Sequence, residues 1–283
     1  MKKWVALVIT YSSLLHGEEM AVRLQYLPSV PIVQVSRLEI ERNDIYPGFN
    51  LKETMFQTVE SEMTLISDAE LPVSQFPLEV SYVLKKMDVQ ILANGLKAGF
   101  NTTSDSHSFS GALNARLIGQ PVQLHFDALR NLKTNPHFDK KLAELPLLED
   151  LNLKDFLVDW FQHIFALLGK DLTLGSSHKI ALKDGVHPAT FYYTITNVTD
   201  EKIEADLKGF VEAQGIKIDG QKCPGAEINL KSKISGHLNW DRKNAFVHQL
   251  ESRSNCSGTL KIADAFWSLN MQMKHHFQSY ERP

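Results

Sequence analysis

The chain has 283 residues, 43% of them hydrophobic and 22% charged, with a formal net charge of −3 at pH 7. That length and balance suit a folded chain with a sizeable core and exclude low-complexity disorder. A slightly acidic chain with no basic stripe interleaved with aromatics offers no electrostatic basis for nucleic-acid binding.

Lys2-Lys3, the apolar run Trp4–Leu15, the small Gly17 and the polar Glu18-Glu19 follow the order of a secretory signal peptide. Residues 1–17 are therefore expected to be removed near Gly17, leaving an exported, periplasmic or extracellular protein. Leu15 is larger than the residue preferred at that site, and an uncleaved anchor or a buried strand is the alternative. The run is too short to span a membrane comfortably, and no later segment reaches about 18 apolar residues. No cysteine stands near the site to carry a lipid anchor.

The remainder divides into an N-terminal β-rich half (18–135), a helical connector (136–172) and a C-terminal β-meander half (173–283), read together as one continuous domain. Met20–Leu27 and Ile32–Ile40 look extended, with Pro28 and Pro31 between them. Asn43-Asp44 and Pro47-Gly48 mark turns. Leu51–Ile66 alternates partly and reads as a long strand, with helix as the competitor. Leu78, Val80, Tyr82 and Leu84 alternate, Lys85-Lys86 interrupts, and Met87, Val89 and Ile91 resume on the other parity. This is one long strand with a bulge, or a tight hairpin. Asn101–Gly111 is a polar loop, and Gly119-Gln120-Pro121 introduces a short strand, Val122–Phe126.

Leu153, Phe156, Leu157, Trp160, Phe161, Ile164, Phe165 and Leu168 recur at helical spacing, with Asn152 as a cap and Gly169 as a stop. The spacing predicts an amphipathic helix over about 153–168 that packs on the apolar face of a sheet. Alternatively it forms a lid over an apolar ligand. Its polar face is poor in Lys and Arg, which disfavours a membrane-surface helix.

After the connector, Ala189–Ile195 and Lys202–Val211 are β-rich. Ile228, Leu230, Ile234, Leu238 and Trp240 alternate with Lys231, Lys233, His237 and Asn239, the mark of a half-buried strand. A three-residue turn near Asp241–Asn244 would set Trp240 opposite Phe246 and Gly236 opposite Leu250. Trp267, Leu269, Met271, Met273, His275 and Phe277 share one face of the last strand. The expected fold is α+β, mainly antiparallel β: long-stranded curved meander sheets with the helix on the apolar face.

Cys223 and Cys256 are an even pair in an exported chain and suggest a disulfide, which would contribute about 3.5–4 kcal/mol by chain entropy. Two independent buried thiols are the alternative. In the favoured register Cys256 lies opposite Leu230, so Cys223 would have to fold back over the sheet.

Two stretches together resemble a bacterial family of exported β-proteins of unknown function. One is Leu84-Lys85-Lys86-Met87 with Ala112–Asp127; the other is Leu172-Thr173-Leu174-Gly175 with Phe191–Phe210 and Ser235–Asp241. Ser177-His178 replaces a frequent aromatic of that family, and Arg130-Asn131 stands where it commonly turns on Gly. The resemblance spans about residues 78–277. It implies fold and export and carries no catalytic residues.

Eleven histidines invite a metal reading. His275-His276 must point to opposite faces of a strand, however, and the favoured register puts His237 beside Gln249 and His248 beside Leu238. His125 and Asp127 share a face at a spacing too common to mean much. No metal site and no cofactor are expected. No nucleophile elbow, zinc-protease helix or phosphate loop occurs, so the protein is expected not to be an enzyme.

The leading functional expectation is a carrier that binds an apolar or lipid-like molecule between sheet and helix, by analogy with the layout of half-barrel lipid carriers. Phe156, Trp160, Phe161, Phe165, Trp240, Phe246, Trp267 and Met271 are its candidate lining, around a cavity of several hundred Å3. A structural or protein-interaction module of the cell envelope, with a protein partner, is the second reading. A secreted hydrolase with a polar cleft is the third.

Overall fold

The computed structural model describes residues 22–23, 31–66, 78–102, 118–126, 132–133, 167, 169–182, 189–214, 217–218, 221–222, 226–242, 246–262 and 265–282. In chain order its strands are β1 (Val22–Arg23), β2 (Ile32–Tyr46), β3 (Phe49–Ile66), β4 (Leu78–Ala93), β5 (Leu96–Asn101), β6 (Pro121–Phe126), β7 (Leu132–Lys133) and β8 (Asp171–Leu172). These are followed by β9 (Ser177–Leu182), β10 (Ala189–Val198), β11 (Lys202–Gln214), β12 (Lys217–Ile218), β13 (Gln221–Lys222), β14 (Ala226–Asp241), β15 (Val247–Ile262) and β16 (Ala265–Glu281). Twelve of them form one antiparallel sheet in the order β7-β6-β4-β3-β2-β16-β15-β14-β11-β10-β9, with β5 also on β4. Strands β2–β7 on one side and β9–β11 with β14–β16 on the other are thus wings of one sheet, sewn together where β2 pairs with β16.

Of the described residues, 86% are strand and none is helical, so the fold is antiparallel β rather than α+β with a packed helix. The expected helix at about 153–168 lies, apart from Leu167, outside the described residues. The physical reason, within the described residues, is that the sheet curls so that its two wings meet across the apolar face. Val59 on β3 and Phe191 on β10 line one cavity of about 170 Å3. On a flat sheet the six strand-to-strand steps between them would measure about 29 Å, which a space so small cannot bridge. Leu167 and Leu172, just before β9, are fully buried in the same core.

Local chemistry explains the long strands. The Lys85 interruption is a bulge: β4 runs through it, and its register against β3 shifts between Glu60 and Ser61. The extra residue returns Leu84, Tyr82 and Val80 to the face that Met87, Val89 and Ile91 occupy. Asn94 and Gly95 both take positive φ, 47° and 86°, as a two-residue hairpin from β4 to β5 requires. Asn94 N–H also donates to Lys52 O at 2.9 Å, tying this turn to β3.

The β14–β15 hairpin corrects the predicted register by two residues. Leu238 faces Leu250, Gly236 faces Ser252 and Trp240 faces Val247, with a bulge that leaves His248 over. Phe246 is itself buried at the turn, and its carbonyl accepts the Asp241 N–H at 3.0 Å. The turn is therefore longer than three residues. A slip of two preserves side-chain parity, so the apolar faces still meet.

Trp240, Tyr193, Phe277, Met63, Leu124 and Leu167 are the largest fully buried side chains. They mark one end of the concave face as the closed end, where β10, β14, β16, β3 and β6 pack together. Tyr193 meets Trp240 edge-on at 6.2 Å. Toward the other end, Ile40, Met55, Met271 and Trp267 on the same face are only half-buried.

Candidate functional site: the concave face of the sheet

Strand registers lay the concave face out as rows. One row runs Gln57, Leu38, His275, Ser252, Gly236, Leu207, Tyr193 across seven strands. The next, toward the open end, runs Met55, Ile40, Met273, Ser254, Ile234, Gly209, Phe191. Small residues therefore fall at the middle of both rows, where a sheet filled with Leu and Ile would be solid. The cavity of about 170 Å3 sits there, walled by Leu38, Val59, Phe191, Leu207, Ile234 and Leu250 among others.

Two glycines of these rows are fixed by close approach rather than by turn geometry. A Cβ on Gly236 would stand 2.5 Å from the Glu251 carbonyl oxygen, and one on Gly209 would stand 2.7 Å from the Phe191 ring. Phe191 thus lies over Gly209 and leans toward the cavity.

The face carries a polar band across its apolar floor. Ser36 Oγ and His275 Nε2 are 2.9 Å apart, and Ser232 and Ser254 share a hydroxyl–hydroxyl bond of 2.5 Å. Burial, followed by the charge of neighbouring His276, pulls the His275 imidazole down to a pKa of about 4. It is neutral at pH 7. Further along, buried Asp44 accepts from Arg42 Nε, from the Tyr46 hydroxyl at 3.2 Å and from the Asn270 backbone N–H at 3.1 Å. Tyr46 stacks on Phe49 and tilts against Trp267. Cys256 is half-buried on this stretch with a free thiol, and burial, then the Asp44 charge, raises its pKa. Its expected partner Cys223 lies outside the described residues.

The outer face differs. Its side chains are mainly polar or charged, with Phe56, Phe210 and Phe266 exposed among them, and with ion pairs such as Lys274–Glu39 at 3.2 Å and Lys274–Glu41 at 3.6 Å. Two open depressions of about 820 and 590 Å3 lie there, lined mainly by polar and charged groups. Among the described residues no three His, Cys, Asp or Glu side chains could hold a metal ion. No described helix is long and apolar enough to cross a membrane.

Of the expected lining residues, Trp240 and Phe246 belong to the closed end, while Met271 and Trp267 belong to the open end. The four share the concave face and do not meet around the cavity. Phe156, Trp160, Phe161 and Phe165 lie outside the described residues. The cavity is built instead from Leu38, Val59, Leu207, Ile234 and Ser252, with His275, whose place on the apolar parity of β16 was its one legible signal.

No family model matches this chain, and no curated protein does. Among solved structures, one of lipovitellin and its lipid–protein interactions is similar over 92% of this chain, with a TM-score of 0.50 and 9% identity. This chain spans 26% of that one. At such identity the likeness is one of fold.

Proposed function

We propose that the concave face binds an apolar, lipid-like molecule, and that the protein is an exported, non-enzymatic carrier of it. The observation that carries this reading is the cavity beside the small Ser252 and Ser254 in the middle of an otherwise apolar face. Apolar surface left unfilled in a core forfeits stability, so small residues at these positions suit space kept for an occupant. A volume of about 170 Å3 is below the ~300–1,000 Å3 of ordinary ligand pockets. It takes one segment of a ligand, with the rest lying along half-buried Ile40, Met55, Met271 and Trp267 toward the open end. The shared fold with lipovitellin, a structure of lipid–protein interactions, supports the same chemistry. The positive-then-apolar segment Lys2–Leu15 supports export, and N-terminal sequencing of the mature protein should begin near Glu18.

Native mass spectrometry of protein purified from its own host tests the reading. An adduct that organic solvent extracts as lipid is expected. Ser252→Phe, which sets a ring beside Gly236 inside the cavity, should remove it while the β-sheet circular dichroism persists. A clean protein mass for the unaltered chain, with no apolar probe taken up on addition, refutes the carrier.

A further inference from the structure

We infer that Ser36, Gln57, Ser252 and His275 form a hydrogen-bonding subsite that selects a lipid bearing an uncharged polar group, a hydroxyl or an ester carbonyl, over a fatty-acid carboxylate. This rests on the carrier reading and goes further by naming the ligand's chemistry.

Among the described residues, every side chain lining the cavity is neutral at pH 7. The polar ones are three serines, a glutamine and the histidine, and no Lys, Arg, Asp or Glu is among them. His275, the one titratable member, keeps its uncharged form because burial disfavours the imidazolium. Among the described residues the cation on this face is Arg42, two rows from His275, and buried Asp44 already neutralises it. A carboxylate entering here would give up its water with no counter-charge to replace it. An ester or hydroxyl needs one donor or one acceptor, and serine and glutamine side chains each offer both.

The subsite is also open for business at two of its members. Ser36 and His275 satisfy one another, as do Ser232 and Ser254. Gln57 and Ser252 line the same space without a side-chain partner among the described residues. Neither is a sealed, unsatisfied group; among the described residues the buried side-chain atom without a partner is Trp240 Nε1, at the closed end. Polar side chains facing an apolar space weaken a core unless something meets them.

The test is displacement of a neutral fluorescent dye, Nile red, from the full chain at pH 7.4 by three probes of equal chain length: a monoacylglycerol, the corresponding fatty-acid anion and the alkane. The monoacylglycerol should displace the dye at a concentration at least tenfold below that of the anion. The double variant Gln57→Leu/Ser252→Ala should shrink that gap to about twofold or less while the alkane is bound at least as well. Equal potency of ester and anion overturns the subsite and leaves the carrier standing, whereas no displacement by any probe overturns both. A wild-type gap that the double variant leaves intact also overturns the assignment to these residues. So does release of free glycerol from the monoacylglycerol, which would make Ser36 and His275 a nucleophile and base instead.

Discussion

The two ends of the concave face obey one sequence rule and reach different burial. At the closed end Trp240, Phe277, Tyr193 and Met63 are fully buried. At the open end Met271, Trp267, Ile40 and Met55, on the same face of the same or adjacent strands, stay half-buried. Alternation assigns a residue to a face, and it says nothing about what lies opposite that face. Curvature supplies the partner, and it does so at one end more than at the other.

Breaking this contrast most sharply means cutting into the closed end. Trp240→Ala should cost about 3–5 kcal/mol, the usual range for losing a buried large aromatic, read as a lowered midpoint in urea denaturation at unchanged slope. A smaller loss, comparable to that at the open end, would show that the closed end is not closed in solution.

The boundary between the ends titrates. The His275 pKa falls from 6.5 in the unfolded chain to about 4 in the fold, so between those values the unfolded chain binds the extra proton. Stability from this group is therefore full above pH 6.5, declines as pH falls, and is exhausted below 4, a total of roughly 3 kcal/mol. Urea midpoints measured from pH 7 to 4 should follow that slope. His275→Gln should flatten it, and an equal slope in the variant would place the titration elsewhere.

At the open end, Asp44→Ala should cost about 1–3 kcal/mol, since it strips the Asn270 N–H of its acceptor and Arg42 of its counter-charge. The smallest effect belongs to Met271→Ala, about 1 kcal/mol for a half-exposed thioether chain. The same denaturation series checks both, and a Met271 loss matching that of Trp240 would erase the distinction between the ends.

The face assignments were legible in the sequence because parity is a local property. Leu238 and Trp240 on β14, and Phe277 on β16, point inward as their alternation requires. The Lys85 interruption was legible as a strand with a bulge for the same reason. The hairpin register was not, because it depended on Phe246 being buried within the turn, which no spacing reveals. Asn94-Gly95 was a clear hairpin signal that the alternation of Met87, Val89 and Ile91 overshadowed. The cavity was invisible for a deeper reason. Its walls, from Val59 to Phe191, come from strands that meet through curvature, and of the aromatic residues that stood out by size the described ones, Trp240, Phe246 and Trp267, went to the two ends. Small residues at the middle of the face, Gly209, Gly236, Ser252 and Ser254, were the signal, and only the strand registers line them up.

The pairing of β2 with β16 has a kinetic side. Ser36 and His275 are 239 positions apart, yet they touch, as do Lys274 and Glu39, and Arg282 and Glu62. Each wing can form early from hairpins whose strands are close in sequence, but the seam between them must wait for nearly the whole intervening chain to be made. Closing so long a loop is entropically costly and slow relative to local pairing. During synthesis the wings therefore coexist with exposed inner edges at β2 and an apolar face not yet curled, the kind of surface that aggregates. The cavity is born last, at the moment the seam zips.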